Sequence, residues 1–399
     1  MNASVYSHPN TRPASAANSR SGHPSGRLRA AEFVFPGHPD KLCDAIADAL
    51  VEQAMRLEPR ALVGVEVAMH RHRVFVTGRI GAQGAQALDI AALVREVFRS
   101  AGYTWDWSPA ADEIEVLTDL CLGPLEDGEE EFRELADDQA ICIGYANDLQ
   151  ATGQVPVEQW LVRRLARRLH ALRGQHPDLA LGPDGKVIVA VRELDGDAPS
   201  WTVESVSTSL QQRVGADEVA LHRAVRQVVE EELKQAAQAL PGFSAEPPRS
   251  LTVNGAGAFE VGGPQGDNGL SGKKLVVDAY GPRVPIGGGA WSGKDFFKAD
   301  RAGALHARRL ARFIVQLGLA REATVTLGWA PGDRQATVLD VVAEGGRVLD
   351  AARLGSVMDL SLKRSGEAFA RTGGLVELAR WGHFGEEASI RGWEQAAVV

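Results

Sequence analysis

Cysteine is scarce in this chain of 399 residues. Cys43, Cys121 and Cys142 are its only three, odd in number and with neither disulfide-framework nor zinc spacing. A disulfide-stapled scaffold and a zinc site are therefore excluded, and a reducing cytoplasm is the expected location. Long apolar runs are missing too. None approaches the about 18 residues needed to cross a bilayer, so no membrane association is expected. Positive charge is not in excess either: the net charge is −9 with histidine neutral, which argues against a nucleic-acid-coating protein. Acids are absent from the first stretch, with Glu32 the earliest. Residues 1–28 are rich in Ser, Ala, Pro and Gly, have no apolar signal-like run, and are expected to form a disordered tail. The G-x-S-x-G elbow of serine hydrolases is missing, and no tight internal repeat is visible.

An apolar content of 44% and a charged content of 24% are ordinary for a globular protein, and the length suits two or three cores. A strand-like run ends at the Pro-Gly turn of AEFVFPGHPDK (residues 31–41), and Leu42, Ile46, Ala49 and Leu50 then share one helix face. Ala61–Ala68 and Val74–Ile80 read as a hairpin, Gln86–Ser100 as a helix and Glu113–Leu117 as a strand. Gly123–Asp138 reads as an acidic surface loop or short exposed helix. Glu158–Arg173 and Glu218–Leu240 read as helices, Thr202–Thr208 as a strand, and Gly182–Lys186 as a tight turn before the strand VIVAV. A helix begins at Lys298, and strands follow near Ala323–Trp329 and Ala336–Ala343. Hairpin-plus-helix recurs roughly three times, which predicts an α+β protein of three units whose sheets pack together. The units are expected at residues 29–125, 126–260 and 261–399.

The chemistry lies on the glycine-rich turns. Gly287–Asp300 (GGGAWSGKDFFKAD) offers close backbone approach, two lysines and a carboxylate beside a helix start. His38, Asp40, Asp138, Asp184, Lys186, Asp267, Lys273, Lys274, Lys294, Lys298 and Asp300 all stand on such turns. Lysines neutralise phosphate oxygens as point charges, and Mg²⁺ takes one or two carboxylates plus phosphate and water. The set therefore suits a Mg²⁺–polyphosphate site. Phe259 could stack on a base or be a core aromatic. Gly288–Asp295 comes close to the P-loop pattern, but Asp295 stands where the Mg²⁺-binding Ser/Thr should be, and no buried strand leads directly into it. Glu66 interrupts an apolar strand and needs a partner or a solvent face.

Six motifs in order resemble methionine adenosyltransferase, the S-adenosylmethionine synthetase family. They are GHPDK (Gly37–Lys41), DQ…GYA (Asp138–Ala146), DGK (Asp184–Lys186), GGPxGDxGLxGKK (Gly262–Lys274), GGGAxSGKDxxKxDR (Gly287–Arg301) and GHFG (Gly382–Gly385). The resemblance spans about residues 30–395. It implies three similar α+β units around a pseudo-threefold axis, with self-association and active sites between subunits. It also implies that ATP and a small-molecule acceptor, methionine or an analogue, are the substrates, with Mg²⁺ and K⁺ as cofactors. His38, Lys186 and Lys294 would be catalytic, His38 near the breaking bond. Asp184, Lys186, Lys273, Lys274 and Lys294 would contact ATP and its phosphates, and Phe259 and Ala290 would form the adenosine pocket. Asp267 would serve both ATP and acceptor, and Lys298, Asp138 and Arg79 fall at acceptor positions. Asp40 and Asp300 would hold Mg²⁺, and Glu66 K⁺.

The departures concentrate at the acceptor end. Arg79 replaces an acid that receives the methionine ammonium. The loop at Gly123–Asp137 is shorter than the family's, acidic and without its glutamine. Ala258 and Lys273 replace arginines, and Asp137 and Ala140 replace glycines. Three readings follow: S-adenosylmethionine synthesis, adenosyl transfer to a different and possibly acidic or amine-lacking acceptor, and a non-catalytic regulatory subunit.

Overall fold

The computed structural model describes residues 25–196, 198–386 and 391–394. Residues 1–24 of the expected tail lie outside the described residues. Gly26, Arg27 and Leu28 are strand rather than tail, because they pair with Leu194, Glu193 and Arg192.

One order of elements recurs. The first pass is β1 (Gly26–Val34), α1 (Pro39–Leu57), the hairpin β2 (Leu62–His70) and β3 (Arg73–Gly81), α2 (Ile90–Ala101) and β4 (Glu115–Gly123). The second is β5 (Ala140–Asn147), α3 (Val157–Gln175), the hairpin β6 (Leu181–Leu194) and β7 (Ser200–Gln212), α4 (Glu218–Ala239) and β8 (Ser250–Val253). The third is β9 (Asn268–Leu270), α5 (Leu275–Asp278), α6 (Ala299–Gln316), the hairpin β10 (Glu322–Trp329) and β11 (Thr337–Ala343), and α7 (Ala351–Gly355). Helices α8 (Leu362–Phe369) and α9 (Leu375–Trp381) follow. The three α+β units expected from the sequence are present.

Their sheets, however, exchange strands in a ring. The orders are β9-β2-β3-β4, β1-β6-β7-β8 and β5-β10-β11. The first strand of every repeat thus leaves its own hairpin and pairs antiparallel with the leading strand of another. Each long central helix packs over the borrowed strand and its neighbour: α1 on β9 and β2, α3 on β1 and β6, α6 on β5 and β10. The pseudo-threefold relation is visible in this shared pattern.

The third repeat also runs along the rest of the β2 edge. Val67 N–H donates to Ser271 Oγ (3.0 Å), Val65 N–H to the Gly293 carbonyl (2.9 Å) and Val63 N–H to Asp295 Oδ2 (2.6 Å). An edge strand that would otherwise present bare amides is covered by the segment carrying the candidate site.

Two local readings change. Gly182–Lys186 is not a separate turn but the irregular start of β6, where the pairing register with β7 shifts between Leu181 and Gly185. A bulge absorbs the Gly-Pro-Asp-Gly chemistry without ending the strand. The acidic loop after β4 is likewise not all surface. Its Arg133 is fully buried, donates to Asp295 (2.9 Å) and stacks 5.0 Å from the Phe297 ring centre. Among the described residues, no helix is long and apolar enough to cross a membrane.

Two imidazoles outside the candidate site, the buried His306 and the partly buried His170, set an acid limit. His306 is pushed down to about 4 by burial and then by Arg309, and His170 to about 4 by burial and then by Arg173. His306 is satisfied as the neutral ring, with Nε2 at 2.9 Å from the Ser361 carbonyl and Nδ1 at 3.2 Å from Arg309. Between pH 6.5 and 4 the unfolded chain takes up protons that the folded rings refuse, so stability present above pH 6.5 is lost as pH falls. Each ring is expected to contribute on the order of 3 kcal/mol across that window. Urea unfolding at pH 7 and 4.5 checks this, and His306→Gln should lessen the difference.

Candidate active site

His38 caps α1. The Asp40 N–H donates to its Nδ1 (3.2 Å), and Pro39 supplies the first helical residue. His38 faces a cavity of about 410 Å³ shared with Asp184, Lys186, Asn254, Phe259 and Asp267. The start of β6 supplies Asp184 and Lys186, and the chain after β8 supplies the other three. The loop closes tightly over the cavity. Gly263 has φ +61°, and a Cβ there would lie 1.8 Å from the Tyr103 hydroxyl, so only glycine fits. Its N–H donates to Asp184 Oδ2 (2.7 Å), and Tyr103 in turn donates to the Gly37 carbonyl (2.7 Å).

Asp40 lies just behind His38. Burial raises its carboxyl pKa, but the Lys274 ammonium at 2.8 Å and the Leu270 N–H at 3.0 Å outweigh that and hold it below the usual carboxylate value. Lys273 is 3.4 Å from the same carboxylate. Burial, then Lys274, pushes His38 down to about 4, and burial pushes Asp184 up to about 6.

A second cavity, of about 790 Å³, holds Asp138, Gly289 and Asp300, with Ile141, Trp329 and Leu339 as apolar walls. Gly289 lies so close to Asp300 that a Cβ would sit 1.9 Å from the carboxylate. Lys294 pairs with Asp300 (2.5 Å), and Lys298 pairs with Asp137. Lys186, which lines the first cavity, pairs with Glu32 (2.5 Å). Every lysine singled out from the sequence thus rests on a carboxylate, so an entering anion must compete for it.

The structure therefore brings His38, Asp184, Lys186, Phe259 and Asp267 together, with Asp40, Lys273 and Lys274 behind them. It gathers Asp138 and Asp300 in the other cavity, and the two share no lining residue. Ala290 lines neither; it packs against Gly272, where a Cβ would lie 2.6 Å from its own. Glu66 points to the exposed face of β2 and accepts from Ser271 Oγ (2.5 Å). Arg79 lines neither cavity. Its guanidinium donates to Glu129 (3.0 and 2.8 Å) and the Pro124 carbonyl (2.6 Å), and lies 3.9 Å from Glu126. Asn254, Ile141, Trp329 and Leu339 were not singled out from the sequence. Nor were Asp44 and Asp48, although their four-residue spacing from Asp40 was a readable signal.

No group of three or more acidic, His or Cys side chains among the described residues forms a ready metal cage. Asp40 and Asp300 are single carboxylates beside lysines, which fits Mg²⁺ arriving with phosphate oxygens and water. Glu66, which accepts from the Ser271 hydroxyl, belongs to no group of three acidic, His or Cys side chains among the described residues that would make a potassium cage in one chain.

The N-terminal, central and C-terminal domains of S-adenosylmethionine synthetase match residues 27–121, 133–259 and 261–395. The chain therefore belongs to the S-adenosylmethionine synthetase family, the methionine adenosyltransferases that its motifs resemble. Among its relatives is the S-adenosylmethionine synthase of Methylobacterium sp. (strain 4-46), 34% identical over 94% of this chain and 97% of the relative. That of Rhodospirillum centenum (strain ATCC 51521 / SW) is 33% identical over 92% and 96%, and that of Hyphomonas neptunium (strain ATCC 15444) 33% over 92% and 95%.

Proposed function

We propose that the chain transfers the adenosyl group of ATP to the sulfur of methionine and cleaves the released triphosphate to pyrophosphate and phosphate. The observation that carries this reading is the cavity in which His38, Asp184, Lys186, Phe259 and Asp267 converge, backed by Asp40, Lys273 and Lys274. Phe259 offers a face to the adenine, and the lysines offer point charges to the phosphates. Because His38 Nδ1 accepts the Asp40 N–H, the neutral ring carries its proton on Nε2, which donates to a phosphate oxygen.

A methionine sulfur lone pair forms the bond to C5′ of ATP. The C5′–O bond breaks, and its electron pair stays on the triphosphate oxygen. A thioether gives up no proton, so this step needs no general base. Negative charge grows on the leaving group, and Lys186, Lys273, Lys274 and Lys294, drawn from their carboxylates, would neutralise it. Mg²⁺ held by Asp40 and Asp300 would shield the phosphate charge. Water then splits the triphosphate.

Two copies complete the site in this reading, because the Asp138–Asp300 cavity shares no lining residue with the His38 cavity within one chain. The outward face of the β9-β2-β3-β4 sheet supports self-association. Leu270, Ala68, Phe75 and Leu117 stand in one cross-strand row, with Leu270, Phe75 and Leu117 more than 40% exposed. Three free cysteines support a reducing cytoplasm. Arg79, engaged by Glu126, Glu129 and Pro124, presents no unpaired cation to the acceptor, which favours methionine over an acidic substitute.

Incubation with ATP, Mg²⁺, K⁺ and methionine, followed by mass spectrometry, is expected to yield S-adenosylmethionine, pyrophosphate and phosphate. Turnover only with another thioether would overturn the choice of methionine. No turnover with any acceptor would leave the non-catalytic reading.

A further inference from the structure

Helix α1 presents Asp40, Asp44 and Asp48 on one face, with four residues, or about 6 Å of helix, between successive carboxylates. Each receives a backbone N–H from the glycine loops of the third repeat: Asp40 from Leu270 (3.0 Å), Asp44 from Gly272 (2.8 Å) and Asp48 from Gly293 (3.1 Å). The helix thus acts as a ruler that spaces the loop carrying Lys273 and Lys274 from the loop carrying Lys294.

The far end of the ruler is the most constrained. Asp48 is fully buried, accepts from Ser292 Oγ (3.3 Å) and takes two N–H bonds from Arg301 (2.7 and 3.1 Å). Arg301, itself only 1% exposed, also donates to the Lys294 carbonyl (2.8 Å). The Gly293 carbonyl is taken by Val65 N–H (2.9 Å). Backbone groups on both sides of Lys294 are therefore fixed, while its ammonium extends to Asp300. A buried ion pair is weak support for stability, since an apolar pair of similar volume often serves as well. Directional hydrogen bonds to the peptide units flanking a site lysine are something an apolar pair cannot supply.

We propose that Asp48, acting with Arg301, is a positioning residue that sets the Lys294 ammonium for phosphate binding, an inference that rests on the function proposed above. The test uses the full chain and inorganic tripolyphosphate with Mg²⁺, read by titration calorimetry. Asp48→Asn is expected to weaken binding about tenfold, the scale of one charge-assisted hydrogen bond. In a Lys294→Ala background the same change should weaken it no further, because the two act through one group. Glu232→Gln removes a buried charge that pairs with Arg164 on α3, and should lower stability while leaving tripolyphosphate affinity unchanged. Independent, additive losses in the double variant would overturn the proposal. Should Asp48→Asn fail to fold, Arg301→Lys retains the pairing charge but cannot reach Asp48 and the Lys294 carbonyl together. It should weaken binding severalfold, and unchanged affinity would overturn the proposal. A wild-type chain that does not bind tripolyphosphate overturns this proposal and the reading of the site together. Wild-type binding with additive losses sinks the positioning role alone.

Discussion

Lys294→Ala is expected to lower the rate of S-adenosylmethionine formation by about 10²- to 10³-fold, the usual loss on removing one preorganised group from developing negative charge. The triphosphate gains charge as the C5′–O bond breaks, so the loss should fall mainly on kcat and less on the KM for methionine. The fold should survive, because the ammonium is partly exposed and its partner is a single carboxylate, Asp300 at 2.5 Å. Steady-state kinetics on the purified variant check this. A loss below tenfold with unchanged unfolding would remove Lys294 from the phosphate-binding set.

Its neighbour should behave in the opposite way. Asp295→Ala is expected to destabilise the chain by about 3–5 kcal/mol, as removal of one partner from a buried pair does. The carboxylate is 1% exposed and accepts from Arg133 (2.9 Å), Val63 N–H (2.6 Å) and Phe297 N–H (2.8 Å). Truncation leaves a fully buried guanidinium without its counter-charge and two amides without acceptors. Urea unfolding reads the loss. The same position decides between two uses of the glycine loop. A P-loop would turn this side chain outward to Mg²⁺, and its replacement would then spare stability and abolish metal-dependent turnover. The inward-facing carboxylate gives the reverse expectation.

The loops were the most legible part of the chain. Glycine, lysine and aspartate on turns require little tertiary knowledge to read as anion chemistry, and six motifs in order named the family. The helices were legible from periodicity, which is why α1, α3, α4 and α6 stand close to where they were expected. Strand pairing beyond the β2-β3 hairpin was not. β9 is three residues within a glycine-rich run, too short to carry an alternating pattern, and its pairing with β2 joins positions some 200 residues apart. Arg133 and Arg79 were hidden for a related reason. In an acidic loop an arginine reads as surface, and only Asp295 and Phe297 reveal why Arg133 is buried. On β3, Arg79 read as an acceptor group; its ion pair with Glu129 of that same loop is a tertiary fact. Asp44 and Asp48 of α1 were not singled out, and only the Gly272 and Gly293 amides reveal why they are buried.

The ring of exchanged strands bears on how the chain can be synthesised. β2 emerges from the ribosome early, yet the strand and loop that cover its edge, Asn268–Leu270 and Gly293–Asp295, emerge about two hundred residues later. The first hairpin must therefore wait with an unpaired edge through most of translation, a state open to aggregation and to chaperone capture. The second sheet can close sooner, because β1 is already present when β6 appears. The third sheet closes last, because β10 follows β9 in the chain. The Lys273, Lys274 and Lys294 loops lie beside the β2-β9 pairing, so phosphate-binding competence waits for that long-range pairing and does not arise within any one third of the chain.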